Sequence, residues 1–588
     1  MKKSSFLLGS LLFSSICASA ATLTVTSLAD DGSTGTLRSV LASASEGDTV
    51  VFADALAGGE IFITKSSGAI EIPISISVIG PEDAPISING GANGCAYAGS
   101  SRTSGLFYAS NAESTVTLKN LVFTGVKGTQ NSSTPHIGPA VSILGNAIIE
   151  NCCWTNNAVA QTGSYNNDTG DGGACLRVEG DLQLTNSKFV DNGMNSTIYS
   201  MGGNIVTKGE KISIKNCYFD KFVGWDNIRP GNSVRGGGSI AILGASDKDI
   251  VIQDCYFTDQ WANASASSIF VRQDVTGGTM LIDNCIFREI YGYSANGYSS
   301  GGGVISAGNS GSALKLIVKN TEFSNCGCKG YGGTILFRSS AYAVFVNCLF
   351  YNSHSVAWGG IADSRCNTYV INCTAVGSVN SQNNANACGA FFMESKTFAG
   401  LNSVFAWNYS STATEMVIDD CSRYGGTVAM YNSFNGVRGR SPNVTDNLMT
   451  YDETTKMFAL PLQSRTNAVV AGVTLNYVSE MLYPQLTYDE KSPKKKLAAV
   501  EILPKLEGGV LDVAGWPVRH SADWSAVAYS KDRGATWTAL YGDVAEATID
   551  LVADSRGIAY KLGSDGLPRP SIGAAAINSK FGTIIFIY

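Results

Sequence analysis

The octet "ISIKNCYF" (212–219) returns as "IVIQDCYF" (250–257) and "MLIDNCIF" (280–287). Seven further stretches follow the same grammar: "VTLKNLVF" (116–123), "AIIENCCW" (147–154), "LQLTNSKF" (182–189), "LIVKNTEF" (316–323), "AVFVNCLF" (343–350), "TYVINCTA" (368–375) and "FAGLNSVF" (398–405). Each reads as alternating apolar residues, an Asn or Asp, a small residue, and in most copies an aromatic three positions after the Asn. The intervals run from 25 residues (Asn347 to Asn372) to 38 (Asn216 to Asp254). Variable spacing excludes a coiled coil. A constant core with loops of changing length points instead to a coil of fixed cross-section.

No single copy buries its own apolar face. Stacked on its neighbours it does, with Ile, Val and Leu pointing inward and backbone amides pairing with the coils above and below. The repeated Asn or Asp then has a task, because a sharp bend between two strands needs a residue that tolerates the left-handed region. The ladder expected from this comprises Asn120, Asn151, Asn186, Asn216, Asp254, Asn284, Asn320, Asn347, Asn372 and Asn402. Glycine pairs followed by short strands, as in "GGGSIAI" (236–242) and "GGTILFR" (332–338), predict another wall of the same coil. Only 15% of residues are charged and 65 are glycine, which suits short strands joined by tight turns. The fold class is therefore all-β: a right-handed single-stranded parallel β-helix over 21–440. Thirteen or fourteen coils at one strand spacing each make a rod of roughly 65 Å. Leu37, Val40, Leu41 and Ala44 share one helical face in "TLRSVLASASEGDTVVF" (36–52), which predicts an N-terminal capping helix over the open apolar end. Residues 441–588 are expected to form a small C-terminal β domain.

Lys2 and Lys3, the apolar run "FLLGSLLF" (6–13) and the small residues "ASA" (18–20) predict a secretory signal peptide over 1–20. No later stretch approaches the ~20 apolar residues of a transmembrane helix. Export permits disulfides, yet Cys152, Cys217, Cys255, Cys285, Cys348 and Cys373 share one position of the octet. Equivalent positions imply a shared buried environment, so reduced cysteines acting as small apolar residues are expected, with vertical disulfides as the alternative. Cys152-Cys153 and Cys326-Cys328 are the only close pairs, which gives no metal-binding spacing. No cofactor is implied. A net charge of -7 without a basic cluster, apart from "KSPKKK" (491–496), argues against nucleic acid.

The glycine-pair strands, together with F-x-x-N in "FVDN" (189–192) and "FAWN" (405–408), resemble the repeats of chlamydial polymorphic outer-membrane proteins over about 100–440. That resemblance implies a surface-displayed β-helix with an adhesive role, within the broader likeness to the pectin-lyase-like superfamily. "FALPLQSRTNAVVAG" (458–472) and "DGLPRPSIGAAA" (565–576) are similar to the choice-of-anchor Q region that ends many exported bacterial β-helix proteins. Arg465, Ala575 and Ala576 depart from it. "SKDRGATW" (530–537) matches the Asp-box of sialidases and other propeller proteins, whose role is structural. Ser530, Asp532, Gly534 and Trp537 are accordingly read as a braced hairpin.

The catalytic sets of polygalacturonase-type hydrolases are incomplete: none of the three histidines, His136, His354 and His520, lies between glycines. No catalytic residue is assigned. Arg338 and Arg365 each follow a glycine pair by the same interval, which predicts two guanidinium groups on adjacent coils. They would repel without a carboxylate between them, and Asp363 and Glu394 are the candidates, with Arg272 and Asp274 nearby. Such a patch would grip an acidic glycan through bidentate contacts, or simply form a solvated salt-bridge cluster. The expected function is glycan or protein binding at a cell surface without catalysis, the partner being a glycan or a host or neighbouring surface protein. The alternative is a polysaccharide lyase or glycoside hydrolase acting on acidic polysaccharide.

Overall fold

Asn120, Asn151, Asn186, Asn216, Asp254, Asn284 and Asn320 each turn a corner of the chain. Their φ angles lie between 50° and 55°, in the region Asn and Asp enter most readily among residues with side chains. A strand of one wall leads into each corner and a strand of the next leaves it. The computed structural model describes residues 20–410 apart from 64–67, 92–104, 132–139, 163–174, 197–202, 226–236, 263–265, 293–300, 309–310, 381–387 and the positions 347, 352, 372, 377, 395, 402–403 and 407; beyond 410 it describes short strands only. The first wall has fourteen strands, from Thr22–Val25 to Thr427–Tyr431. A second wall of 21 strand segments follows the corners, and a third of 12 runs from Ile70–Ile72 to Cys421–Ser422. All pairing within the first and third walls is parallel, in a register that aligns the octets: Ile212 opposes Ile250, which opposes Met280, which opposes Leu316. The chain enters the three walls in the same order on each turn. This is a parallel β-helix, wound in the right-handed sense that parallel crossovers take.

Inside the column, first-wall residues alternate as expected, with Ile212 and Ile214 buried and Ser213 between them facing out. The octet aromatics form one file. Phe123, Trp154, Phe189, Phe219, Phe257, Phe287, Phe323 and Phe350 are wholly buried, with successive ring centres 4.5–5.1 Å apart. That separation matches the strand spacing of a sheet, so backbone pairing sets the stack. The corner amides link in pairs: Asn151 donates to Asn120 (2.8 Å), Asn216 to Asn186 (2.6 Å) and Asn284 to Asp254 (2.5 Å). Asn320 donates to Asp283, beside the column. Asn347, Asn372 and Asn402 lie outside the described residues.

The residue after the corner explains why Cys recurs there. Cys217 Sγ donates to the Lys215 carbonyl, Cys255 Sγ to Gln253 and Cys285 Sγ to Asp283 (3.1–3.3 Å). Ser187 and Thr321 make the same bond with a hydroxyl, to Thr185 and Lys319 (both 2.8 Å). A small side chain with one proton to donate is what the position needs. The twelve cysteines whose side chains are described form no disulfide and, except Cys153, are buried. Burial pushes the Cys152 thiol up to about 12 and those of Cys217 and Cys285 well above their ordinary value.

A second corner follows each aromatic. Asn156, Asp191, Lys221, Asp259, Glu289 and Asn325 all have φ between 48° and 55°. The Asn of F-x-x-N comes next and reaches across turns. Asn192 Nδ2 donates to the Trp154 carbonyl while its Oδ1 accepts from the Asn157 amide. In the glycine pairs both residues lack room for a Cβ, which would come within 2.1 Å of the Ile335 carbonyl oxygen at Gly332 and of the Gly360 carbonyl oxygen on the next turn at Gly333; Gly332 also has φ +59°.

The helix Leu37–Ser43 is capped by Thr36, whose side chain accepts from the Ser39 amide, and buries Leu37, Val40 and Leu41. It packs against Thr22–Val25 and Ile70–Ile72, the first strands of the first and third walls. Among the described residues no helix is long and apolar enough to cross a membrane. Residues 1–19, which hold nearly all of the expected signal peptide, lie outside the described residues, as do Ser530, Asp532, Gly534 and Trp537. The strands flanking that Asp-box, Ala528–Tyr529 and Thr538–Ala539, pair antiparallel.

Phe257 stacks on Phe219 at 4.5 Å and on Phe287 at 4.6 Å. Phe257→Ala should therefore cost about 3–5 kcal/mol of unfolding free energy in denaturant titrations. Replacing the exposed Phe62 with Ala should change it by less than about 0.5 kcal/mol.

Candidate functional site

The sequence places two arginines at the same step of successive turns, and the third wall delivers them there. Ile335–Phe337, Ala362–Ser364 and Phe391–Met393 pair in register, with Leu336 opposite Asp363 and Asp363 opposite Phe392. Arg338, Arg365 and Glu394 follow directly, and their amides donate to the carbonyls of Ala307, Phe337 and Ser364. They therefore form one column, a turn apart, at the corner where the third wall gives way to the first.

Carboxylates separate the charges of the two arginines. Arg338 donates through an Nη to Asp363 Oδ2 at 3.4 Å. Arg365 Nε lies 2.6 Å from Glu394 Oε2, an ion contact whose angle does not make it a hydrogen bond. Arg338 Nε and Asp363 Oδ1 also lack hydrogen-bond partners. Arg272 occupies the same column two turns earlier, with Gly308 between, and donates to Asp274 (2.7 Å). At two strand spacings, about 10 Å, that pair stands apart from the cluster.

Three aromatics that the octet pattern does not mark complete the cluster. Tyr331 and Trp358 each precede a glycine pair, in "YGG" and "WGG". Their ring centres are 4.5 Å apart, and Trp358 lies 4.8 Å from Phe392. The Arg338 guanidinium carbon sits 5.6 Å from the Tyr331 ring centre, within cation–π range. Tyr331 and Trp358 are half-buried, Phe392 fully buried. Trp358 holds φ +58°, a conformation that strains a bulky residue and is found mainly where a site over-determines it. Half-buried aromatic rings before the third-wall strands thus lie across from a guanidinium column after them, with Arg338 within reach of the Tyr331 ring and Arg365 one turn on.

His354 is the one described histidine. Burial lowers it to about 4, so it is neutral at pH 7 and closed to solvent. Asp419-Asp420, another acid pair, lies outside the described residues. Among the described residues no three His, Cys, Asp or Glu side chains gather to hold a metal.

Burial raises the Asp363 carboxyl from 3.8 to about 6, although Arg338 and Arg365 pull it down. Between those values the folded chain holds a proton that the unfolded chain has released. Its contribution to stability is present below the unfolded value and falls as pH rises through the window, by on the order of 3 kcal/mol. Asp363→Asn should remove this slope. The stability difference between wild type and variant, read by urea unfolding, should change between pH 4 and 6 and be level above 7. No protein-family model, curated protein or solved structure matches this chain.

Proposed function

We propose that the chain is an exported β-helix displayed at a bacterial surface, where it binds glycan without turning it over. The observation that carries this reading is the third wall, where Tyr331 and Trp358 stack half-buried ahead of its strands, Arg338 reaches the Tyr331 ring and Arg365 follows one turn on. Aromatic faces take the apolar side of a sugar ring, and guanidinium forks take its carboxylates. The leader-like "FLLGSLLF" with Lys2 and Lys3, and the repeat resemblance to polymorphic outer-membrane proteins, support export and display. The C-terminal similarity to an anchor region supports attachment.

Hydrolysis would need two carboxyls flanking the sugar bond. In this cluster Glu394 is partly exposed, but Asp363, whose raised pKa would suit a general acid, is closed to solvent. A panel of neutral, uronate-containing and sialylated glycans tests the proposal, read both by array binding and by release of unsaturated or reducing ends. Binding of acidic glycans without product release is expected, weakened about tenfold or more by Trp358→Ala and by the Arg338→Ala/Arg365→Ala pair. Binding unchanged by both variants would refute the site, and depolymerisation would replace the binding role with catalysis.

A further inference from the structure

The first wall changes character along the rod. On its outer face the early turns carry Thr117, Ile148, Gln183 and Ser213, of which Ile148 is 39% exposed. Further along, the equivalent positions become Leu281, Ile317, Val344 and Tyr369. Val344 and Val346 are wholly buried, Tyr369 is 1% exposed and Ile317 8%. None of these four belongs to the continuous core inside the column, whereas their strand neighbours Val318, Phe345 and Val370 do. They point away from the core and are nevertheless shielded from water.

Within the sheet, Tyr342–Val346 packs against Ala313–Lys319 and Asn367–Ile371, and no described strand or helix packs extensively across its outer face. Burial of outward apolar side chains in a single chain requires another part of that chain. The corners joining the third wall to the first are short here, as at Arg338–Ala341 and Arg365–Cys366. The first wall ends at Thr427–Tyr431, three turns beyond Tyr342–Val346 or about 14 Å. The last described strand of the column, Phe434–Asn435, lies on the second wall at this same end of the rod, so 441–588 continues from the end nearer the patch. The N-terminal strand Thr22–Val25 lies ten turns away, about 48 Å.

We propose that residues 441–588 fold back along the rod and dock on the outer face of the first wall, over Ile317, Val344, Val346 and Tyr369. The C-terminal region is then a clamp on the last turns of the helix and not a freely hanging extension. It covers an apolar stripe that an exported rod would otherwise present to other chains. This inference rests on the outer face of the first wall, which begins just past the corner that carries Arg338 and Arg365, and its test reads the tail and not glycan binding.

The test uses the full chain with photoreactive p-benzoylphenylalanine in place of Tyr369, and separately in place of exposed Gln183. Cross-linked peptides are identified by mass spectrometry at dilute protein concentration. Position 369 should cross-link mainly into 441–588, and position 183 should do so at least tenfold less. In the same chain, Val344→Lys should raise amide exchange within 441–588 at least tenfold and leave turns 115–225 unchanged. Cross-links from 369 confined to the helix, reaching the N-terminus or joining two copies would overturn the proposal, as would unchanged exchange in the tail.

Discussion

No turn of this chain can satisfy its own backbone. Each strand is two to ten residues long and pairs sideways with the turns beside it, so the hydrogen bonds of one coil belong equally to its neighbours. Everything else follows from keeping that pairing in register. The side chains of equivalent residues are then placed one strand spacing apart, whatever their separation in sequence. Like stacks on like because the backbone puts it there: Phe219 on Phe257 at 4.5 Å, Tyr218 on Tyr256 at 5.4 Å.

Register in turn depends on the corners. A bend that takes one residue in the left-handed region lets the chain leave one wall and enter the next without lengthening the turn. The side chains next to it finish the job by bonding the carbonyls that the bend strips from the sheet. Cys, Ser and Thr are interchangeable after the first corner because each supplies a short donor. At the second corner the buried Asn157, Asn192 and Asn408 each reach back to a carbonyl of the preceding turn. Buried cysteines in this protein are therefore hydrogen-bonding parts of the frame.

Much of this was legible in the residues. The octets announce the first corner, the inward aromatics and the alternation of the first wall, and the glycine pairs announce the third wall. The second corner was hidden, since the Asn or Asp that takes its left-handed turn, as at Asn156 and Asp191, gives way to Lys221 on one turn and Glu289 on another. Sequence spacing also placed Arg338 and Arg365 on adjacent turns, beside Asp363 and Glu394. It did not separate Arg272 and Asp274 from them, because an intervening turn with Gly308 in the column leaves no mark on a pattern of charges. Tyr331 and Trp358 stood in plain view before their glycines. Their stacking became visible only once those glycines were seen to be superposed.

Pulsed dipolar spectroscopy tests most directly whether distance along this chain is counted in turns. Spin labels at Ser77 and Ser213 are four turns apart in register, and those at Ser77 and Leu281 six. At one strand spacing per turn the two backbone separations should be about 19 Å and about 29 Å, each with a narrow distribution. Separations that fail to grow in that ratio, or distributions broad enough to span both values, would contradict a single stacked column.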